Sequence, residues 1–448
     1  MNPRILFWSF TAALAGFLFG FDTVVISGAE KTIQSLWGLS PGLHGIATAS
    51  VLYGTVVGSL LGGWPADRFG RRATLLWVGV FYLVGAIGSG LAPDVAVFIA
   101  ARVIGGLGIG VSTVVAPMYI AEIAPPQRRG RLAGMFQFNI VFGILIAFVS
   151  NALLARIGDH AWRWMLGVAA FPSLLYAAFC FTLPESPRWL LCKVACWGGK
   201  SGREAGLEVL RRIQPHVSES EIAAQADEII ASAGHASSRH FWTRQLRKPI
   251  ILAILIAFFN QLSGINAVLY FAPRIFELTG LRAQAALLQS VGIGLTNLAF
   301  TVLGLWLIDR LGRRTLLYLG SFGYISSLSL VAWAFFTGHY SIVPVCIFAF
   351  IASHAIGQGA VIWVFISEIF PNRHRAEGQA LGSFTHWVFA ALLTTFFPRV
   401  VSDFPPGYVF SFFAAMMCLQ LLWVTTMVPE TKGVPLEQIQ EKLSVGSS

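Results

Sequence analysis

Two charged residues lie inside segments that are otherwise apolar enough to cross a membrane. Asp22 stands within GFLFGFDTVVISG (16–28), and Arg102 stands within AARVIGGLGIG (100–110). A charge at bilayer depth costs about 3 kcal/mol on insertion scales, so such residues are rare and usually functional. Each lies about 10 Å from the same end of its helix at about 1.5 Å per residue, so the two opposite charges can pair.

Such a pair has two readings. A static ion pair would fix the packing of two helices, although desolvation cancels much of its attraction. A carboxylate whose cationic partner can move away instead binds a proton more readily once it is alone in an apolar site, which suits a proton carrier. We favour the proton carrier, because a costly pair that adds little stability suggests a use.

Neutral polar side chains recur inside the same kind of apolar segment. They are Gln137, Asn260, Gln261, Asn266, Asn297, His386 and the adjacent Trp387. Amides both donate and accept hydrogen bonds, which suits sugar hydroxyls, and an aromatic face suits the C–H face of a sugar ring. The alternative for each residue is a bond across a helix interface, which is common in membrane proteins.

The apolar segments that position these residues define the fold class. The 448 residues are 56% hydrophobic and 12% charged, whereas soluble domains carry about 25% charged residues. Apolar stretches of about 20 residues fall near 5–28, 44–66, 73–92, 95–119, 133–155, 163–183, 250–273, 284–308, 315–337, 341–366, 379–401 and 408–428. We predict an all-α membrane protein with twelve transmembrane helices. The first stretch is too long for a signal peptide and has no small-residue cleavage site.

The basic residues report topology. With loops assigned alternately to two sides, 24 of the 31 Lys and Arg residues fall on one side and 6 on the other, and one lies within a span. We therefore expect the protein in the cell (plasma or inner) membrane. The positive-inside rule places the side richer in Lys and Arg, and both termini, in the cytoplasm. The net charge of +10 therefore does not indicate a nucleic-acid partner.

Three motifs recur at nearly one offset. GGWPADRFGRR (62–72) returns as GLWLIDRLGRR (304–314), AEIAPPQRRG (121–130) as SEIFPNRHRA (367–376), and PESPRW (184–189) as PETKG (429–433). The repeat predicts a duplicated six-helix unit whose copies share one orientation. We expect six-helix bundles at 1–183 and 249–428, a cytoplasmic helical linker at 184–248 and a cytoplasmic tail at 429–448.

The repeated motifs place acids and bases at helix ends on the predicted cytoplasmic side. They are Asp67, Arg71, Arg72, Glu122, Arg129 and Glu185 in the first copy, and Asp309, Arg313, Arg314, Glu368, Arg375 and Glu430 in the second. One reading is helix capping by ordinary topology residues. The other is a cytoplasmic gate, a network that joins the halves and must break during transport. The paired acids favour the gate, because topology alone needs no carboxylates.

Together these motifs resemble the sugar porter family of the major facilitator superfamily, and the resemblance covers essentially the whole chain. It implies two six-helix bundles around a central sugar site that works by alternating access. It also implies sugar contacts at Gln137, Gln261, Asn266, Asn297 and Trp363, a gate at Tyr270 and a nearby Phe19. The acid–arginine pair resembles that of proton-coupled members, whereas facilitative members have a neutral residue at the position of Asp22.

Departures from the family pattern concern substrate choice. Asn260-Gln261 replaces the usual glutamine pair, His386 replaces the usual Asn or Gln, and GQGAVIW (357–363) lacks the usual prolines. The glycines of GQG can still allow the helix to bend.

We expect a monomeric, multi-pass importer of a hexose or pentose with a proton. A facilitative uniporter of the same fold is the alternative, and a sugar sensor or receptor is a further one. No catalytic, metal or nucleotide motif suggests an enzyme or a cofactor, and the five cysteines lack metal-site spacing.

Overall fold

The computed structural model describes residues 3–125, 129–197, 200–234, 241–371 and 374–433. This part of the chain is helical and contains no strand. Twelve of its segments are long and apolar enough to cross a membrane, which confirms the predicted number. Numbered 1 to 12 in chain order, these spans are Pro3–Gly28, Pro41–Leu61, Arg71–Leu91, Val95–Ile123, Gly134–Leu154, Ala161–Cys180, Arg244–Tyr270, Ala283–Leu311, Arg313–Thr337, Tyr340–Ile369, Arg375–Asp403 and Pro406–Thr426.

Some spans consist of more than one helix, and short helices lie between spans. From the start of span 1 to the end of span 6 the helices are α1 (Pro3–Val25), α2 (Glu30–Leu36), α3 (Pro41–Leu61), α4 (Gly63–Phe69), α5 (Arg71–Leu91), α6 (Val95–Ile123), α7 (Arg129–Leu154), α8 (Ala161–Gly167) and α9 (Ala170–Cys180). The connecting segment holds α10 (Pro187–Trp197), α11 (Lys200–Ile213) and α12 (Glu219–Gly234). From the start of span 7 to the end of span 12 the helices are α13 (Arg247–Leu262), α14 (Ile265–Tyr270), α15 (Ala272–Glu277), α16 (Ala283–Leu311), α17 (Arg313–Thr337), α18 (Val343–His354), α19 (Ala360–Ile369), α20 (Arg375–Asp403) and α21 (Pro406–Thr426).

Successive spans run in opposite directions, so the molecule has two faces. We call the face that carries the segment between spans 6 and 7 the linker face, and the opposite one the distal face. Two of the spans begin at a capping side chain. Ser40 accepts a hydrogen bond from the N–H of Leu43 at 3.3 Å, and Asp94 accepts one from Val97 at 2.9 Å. Both occupy the N-cap, where a side-chain oxygen satisfies an otherwise unpaired helix N–H.

The linker helices pack on one another through a small apolar cluster of their own. It comprises Leu191, Leu210, Ile222 and Ala226. Ser218 caps α12 by accepting a hydrogen bond from the N–H of Glu221 at 3.3 Å. On the surface, hydrogen bonds from Arg211 lower the pKa of Glu219. The segment is therefore a compact helical unit, although 198–199 and 235–240 lie outside the described residues.

Spans 1–6 and spans 7–12 meet along two pairs of helices. Spans 2 and 11 approach so closely at Gly45 that a Cβ there would lie 1.8 Å from the carbonyl oxygen of Thr395. The hydroxyls of Tyr53 and Thr395 bond across the same seam at 2.6 Å. Spans 5 and 8 meet at Gly294, where a Cβ would lie 2.8 Å from the Cα of Leu145. Small residues thus allow close backbone contact in place of a hydrophobic driving force.

The repeated motifs form the same turn twice on the linker face. Gly70 and Gly312 have φ of +97° and +92°, a conformation that side chains strongly disfavour. The next helix begins immediately, and its first two N–H groups donate to Glu185 at 2.8 and 3.2 Å in one copy and to Glu430 at 3.0 and 3.1 Å in the other. A carboxylate at a helix N-terminus also complements the helix dipole.

This turn predicts a specific cost for adding one methyl group. A Cβ at Gly70 would lie 2.2 Å from Oε2 of Glu185, and the backbone there, at φ +97° and ψ 164°, is nearly restricted to glycine. Gly70→Ala should destabilise the protein by roughly 1–3 kcal/mol, measured as a lower midpoint of thermal unfolding in detergent. Gly63→Ala is the matched control, because a Cβ there meets nothing within 4 Å. Equal midpoints for the two variants would contradict the assignment.

Candidate functional site

The two intramembrane charges meet, as their depths predicted. Nη1 of Arg102 in α6 lies 2.5 Å from Oδ1 of Asp22 in α1, and Nη2 of Arg102 donates to the backbone carbonyl of Asp22 at 3.0 Å. Both residues are buried, with Arg102 2% and Asp22 8% exposed. The second carboxylate oxygen faces Gly105, where a Cβ would lie 3.7 Å away. The absence of a side chain at Gly105 keeps space beside this oxygen.

Tyr270, the last residue of α14, connects this ion pair to span 7. It is fully buried, and its hydroxyl has no hydrogen-bond partner among the described residues. Asp22 and Arg102 are the charged groups near this hydroxyl. The residue expected to act as a gate therefore stands beside the charged pair. Sequence spacing gave no sign of this proximity.

A break in span 7 positions the amides. Gly264 adopts a left-handed conformation (φ +87°) and separates α13 from α14. A side chain there would collide with the ring of Phe413, since a Cβ would lie 2.6 Å from it. Asn260 and Gln261 close α13, and Asn266 opens α14. The interruption turns three amides of one span toward each other inside the bundle.

These amides form a hydrogen-bonded chain that extends to span 11. Nδ2 of Asn266 donates to Oε1 of Gln261 at 2.7 Å, and Nε2 of Gln261 donates to Oδ1 of Asn260 at 2.9 Å. The same Nε2 lies 3.2 Å from both ring nitrogens of His386. Neutral groups that already bond one another can exchange those bonds for bonds to a polyol, at little electrostatic cost. His386 thus belongs to this group, as the sequence suggested.

Aromatic side chains border the amide chain. The ring centroids of Trp363 and His386 are 5.2 Å apart, and those of His386 and Trp387 are 4.8 Å apart. Phe19 of span 1 meets Trp387 edge to face at 5.3 Å, so the two halves touch here. Nε1 of Trp387 is buried and has no hydrogen-bond partner in the described part of the chain. The group therefore offers a donor as well as ring faces.

Gln137 and Asn297 lie on the other pair of helices that joins the halves. Gln137 is half-buried in span 5, and Asn297 is buried in span 8, where its Oδ1 accepts a hydrogen bond from Thr301 at 3.4 Å. Neither forms a described hydrogen bond with the amides of span 7. Their membership of one site therefore remains a prediction.

Span 10 is irregular where GQG was expected to allow bending. A π-helical turn, Ala355–Gly359, separates α18 from α19 and precedes Trp363 by one helical turn. Single π-turns are frequent at functional sites. Gln358 within the turn donates a hydrogen bond to Gln420 of span 12, which is bonded in turn to Ser321 at 2.8 Å. These side chains support the interrupted stretch inside the bundle.

Comparison with known proteins agrees with this architecture. Residues 8–443 match the family described as "Sugar (and other) transporter". The chain belongs to this sugar transporter family. It is 34% identical to the arabinose-proton symporter of Bacillus subtilis (strain 168), over 98% of this chain and 94% of that one. It is also 34% identical to the D-xylose-proton symporter of Escherichia coli (strain K12), over 96% and 94% of the two chains.

Solved structures agree. The xylose transporter XylE from E. coli in a partially occluded inward-open conformation matches with a TM-score of 0.85 at 31% identity, over 96% of this chain and 99% of that one. XylE bound to 6-bromo-6-deoxy-D-glucose matches with a TM-score of 0.80 at 32% identity, over 99% and 100%. The fold is thus that of a major facilitator transporter, and these neighbours are transporters rather than enzymes.

On the linker face of the transporter, the repeated charged residues form two separate networks. Arg71 donates two hydrogen bonds to Glu122, both at 3.0 Å, and lies 3.1 Å from Asp67. Arg313 repeats this pattern with Glu368, at 3.1 and 2.7 Å, and lies 3.3 Å from Asp309. Arg72 and Arg314 each donate to a backbone carbonyl of their own half, at 2.8 and 2.7 Å.

The described contacts of Arg71, Arg72, Arg313 and Arg314 stay within one half. Arg375 lies half-buried at the start of α20, and the side chain of Arg129 lies outside the described residues. Whether these groups join the halves when the linker face closes remains a prediction.

Among the residues that the structure describes, charged contacts that join the halves lie on the distal face, and sequence reasoning missed them. Arg274 donates two hydrogen bonds to Glu30, at 3.0 and 2.8 Å, and Lys31 forms an ion pair with Glu277. The repeat contained a signal. These partners are 244 and 246 residues apart, close to the 242–246 offset of the motifs, as expected where equivalent positions of two related halves face each other.

The amide chain yields a binding prediction. Gln261→Ala removes one of its central members, and a lost hydrogen bond to a neutral group costs about 0.5–1.5 kcal/mol. We expect binding of the best sugar from a pentose and hexose panel to weaken by several-fold or more, measured by calorimetry on purified transporter. Gln225→Ala, in the linker helices, removes an amide outside the membrane and should bind as the unmodified protein does. Wild-type affinity in a folded Gln261→Ala variant would place the site elsewhere.

Proposed function

We propose that this transporter imports a monosaccharide together with a proton by alternating access. The observation that carries the proposal is the buried ion pair of Asp22 and Arg102, at 2.5 Å, beside span 7. Breaking such a pair by removing one partner typically costs 3–5 kcal/mol, because the other charge is left uncompensated. Protonation of Asp22 removes its charge, and the hold of Arg102 on α1 is then weakened.

Span 1 connects the proposed proton site to the proposed sugar site. Phe19 precedes Asp22 by one helical turn and packs on Trp387, while Asp22 itself lies near the hydroxyl of Tyr270. A shift of span 1 relative to spans 7 and 11 therefore changes the contact of Phe19 with Trp387 and the surroundings of Tyr270 together. By linkage, a proton that favours sugar binding is itself favoured by bound sugar by the same factor.

The substrate class follows from the polar groups. Asn260, Gln261, Asn266 and His386 present neutral donors and acceptors, and Trp363 and Trp387 present aromatic surface. This combination suits the hydroxyls and C–H face of an uncharged sugar. The named relatives carry arabinose and xylose, which makes a pentose the first candidate and a hexose the second.

We place the linker face in the cytoplasm, with both termini, because it carries most of the Lys and Arg residues. In that orientation the described charged contacts between halves lie on the outside, and those of the cytoplasmic face stay within each half. The conformation is then inward-facing, and the higher TM-score against an inward-open neighbour supports this. Since one chain supplies both halves of the site, we propose that the monomer transports.

The proton role of Asp22 is tested by Asp22→Asn, which imitates the permanently protonated side chain. In proteoliposomes with an imposed inward proton gradient, this variant should lose concentrative uptake of labelled sugar and keep counterflow without a gradient. Asp403→Asn removes an exposed distal carboxylate and is the matched control. Arg102→Ala should impair both assays, since it leaves Asp22 buried without its cation.

Two results would overturn the proposal. Wild-type uptake that ignores the proton gradient would make the protein a uniporter, with Asp22 and Arg102 a structural pair. An Asp22→Asn variant that still concentrates sugar would place the proton site on another residue.

A further inference from the structure

A second buried charged cluster lies on the distal face, separate from Asp22. Glu30 of α2 has a side chain with 0% exposure, and Arg274 of α15 donates to both of its carboxylate oxygens. His44, in the first turn of α3, is equally buried, and its Nε2 lies 2.8 Å from Oε2 of Glu30. Gln34 accepts a further hydrogen bond from Arg274 at 2.6 Å.

The cluster spans the seam between the halves. Glu30 and His44 belong to the first half, whereas Arg274 belongs to the second. Gly45, the next residue along, packs against the backbone of Thr395, and the ring of His44 meets that of Phe271 at 6.1 Å. If the protein works by the alternating access proposed above, opening the distal face separates Arg274 from Glu30 while His44 stays with it.

In the closed arrangement the Glu30 carboxylate is already compensated by the bidentate contact with Arg274. Nε2 of His44 lies 2.8 Å from Oε2 of Glu30, but neither ring nitrogen of His44 makes a well-aligned hydrogen bond among the described residues. An imidazolium at this position would add a second cation to a compensated carboxylate and leave charged N–H groups unpaired in a buried site, which is costly.

Opening of the distal face changes the charge compensation of Glu30. Departure of Arg274 leaves the Glu30 carboxylate without its cation, and water from the distal side reaches the His44 ring. We propose that this ring then binds one proton from the distal compartment, and that the resulting imidazolium, 2.8 Å from Oε2 of Glu30 in the closed arrangement, replaces Arg274 as the counter-ion of Glu30. His44 is thus a positioning residue that links distal opening to proton uptake, independently of Asp22.

The other charged groups on the elements around His44 have partners of their own. On α2 and α15, Lys31 pairs with Glu277, and at the distal end of α20 Arg399 donates to Asp403 at 2.6 Å. On α6, Arg102 holds Asp22, and exposed Asp94 caps the helix. Lys31 is half exposed, so its ion pair contributes little to closure. Among these groups, Glu30 and Arg274 are the ones placed to change the charge of His44.

The sign of the pH effect follows. Because opening binds a proton, a lower pH on the distal side favours the distal-open state. One linked proton changes the ratio of open to closed molecules by at most about tenfold per pH unit. If the distal face is the cell exterior, external acidity therefore favours the state that collects sugar.

Distance measurements test this without transport. Spin labels at Ile157 and Ser341, exposed distal positions in the two halves, report opening in a variant without the native cysteines that retains sugar binding. Between about pH 8 and pH 5.5, which brackets the usual titration of histidine, the long-distance population should grow in the otherwise unmodified protein. His44→Gln, which keeps a donor toward Glu30 but cannot take the proton, should abolish this growth.

Three further variants complete the test. Glu30→Gln, which needs no counter-ion, should show a larger open fraction at every pH and no pH response, and it serves if His44→Gln does not fold. His160→Gln, at an exposed distal histidine, should respond as the parent does. Asp22→Asn should keep the response, which separates this proposal from the proton coupling assigned to Asp22. A parent with no pH response, a response retained in His44→Gln, or a response lost in Asp22→Asn would overturn the proposal.

Discussion

A charge in the interior of a membrane protein needs a partner of opposite sign, and much of this structure is arranged around that constraint. Asp22 and Arg102 satisfy it within the first half, and Glu30 and Arg274 satisfy it between the halves. The two ion pairs are affected differently when the halves move. The first pair can remain together while the halves move, but the second must separate whenever the distal face opens. A group able to replace the departing charge is therefore needed at the second pair, and His44 is placed to supply it.

The same constraint explains the linker-face motifs. Arg71 and Arg313 are largely buried, and each is surrounded by a glutamate, an aspartate and backbone carbonyls of its own half. Glu185 and Glu430 cap the helices that begin at these arginines. In this conformation the networks stabilise each half as a unit that can move as a rigid body. Capping and gating are consequently not exclusive roles, since groups that hold a helix end can meet the other half when that face closes.

Interruptions of helical regularity bring the polar groups together. Gly264 breaks span 7 beside three amides, and a π-turn interrupts span 10 before Trp363. Inside a bilayer such breaks are tolerated where neighbouring side chains satisfy the freed backbone groups. Ser263 does so here, since its hydroxyl donates to the carbonyl of Asn260 at 2.7 Å. The breaks also place the amide chain and the aromatic rings at the contact between spans 1, 7 and 11.

The all-helical membrane class, the twelve spans, the repeat and the pairing of Asp22 with Arg102 were all predictable from the amino-acid sequence. Hydrophobic length, motif offset and depth along a helix are properties of the chain read in one dimension, and bilayer thickness converts them directly into structure. Most contacts between residues of different spans become visible only once the helices are packed together. Gln261 meets His386, Tyr270 stands beside Asp22, and Arg274 reaches Glu30 because of helix rotation, close glycine contacts and a broken span 7. These depend on packing between distant segments, for which the amino-acid order of any one segment carries no local signal.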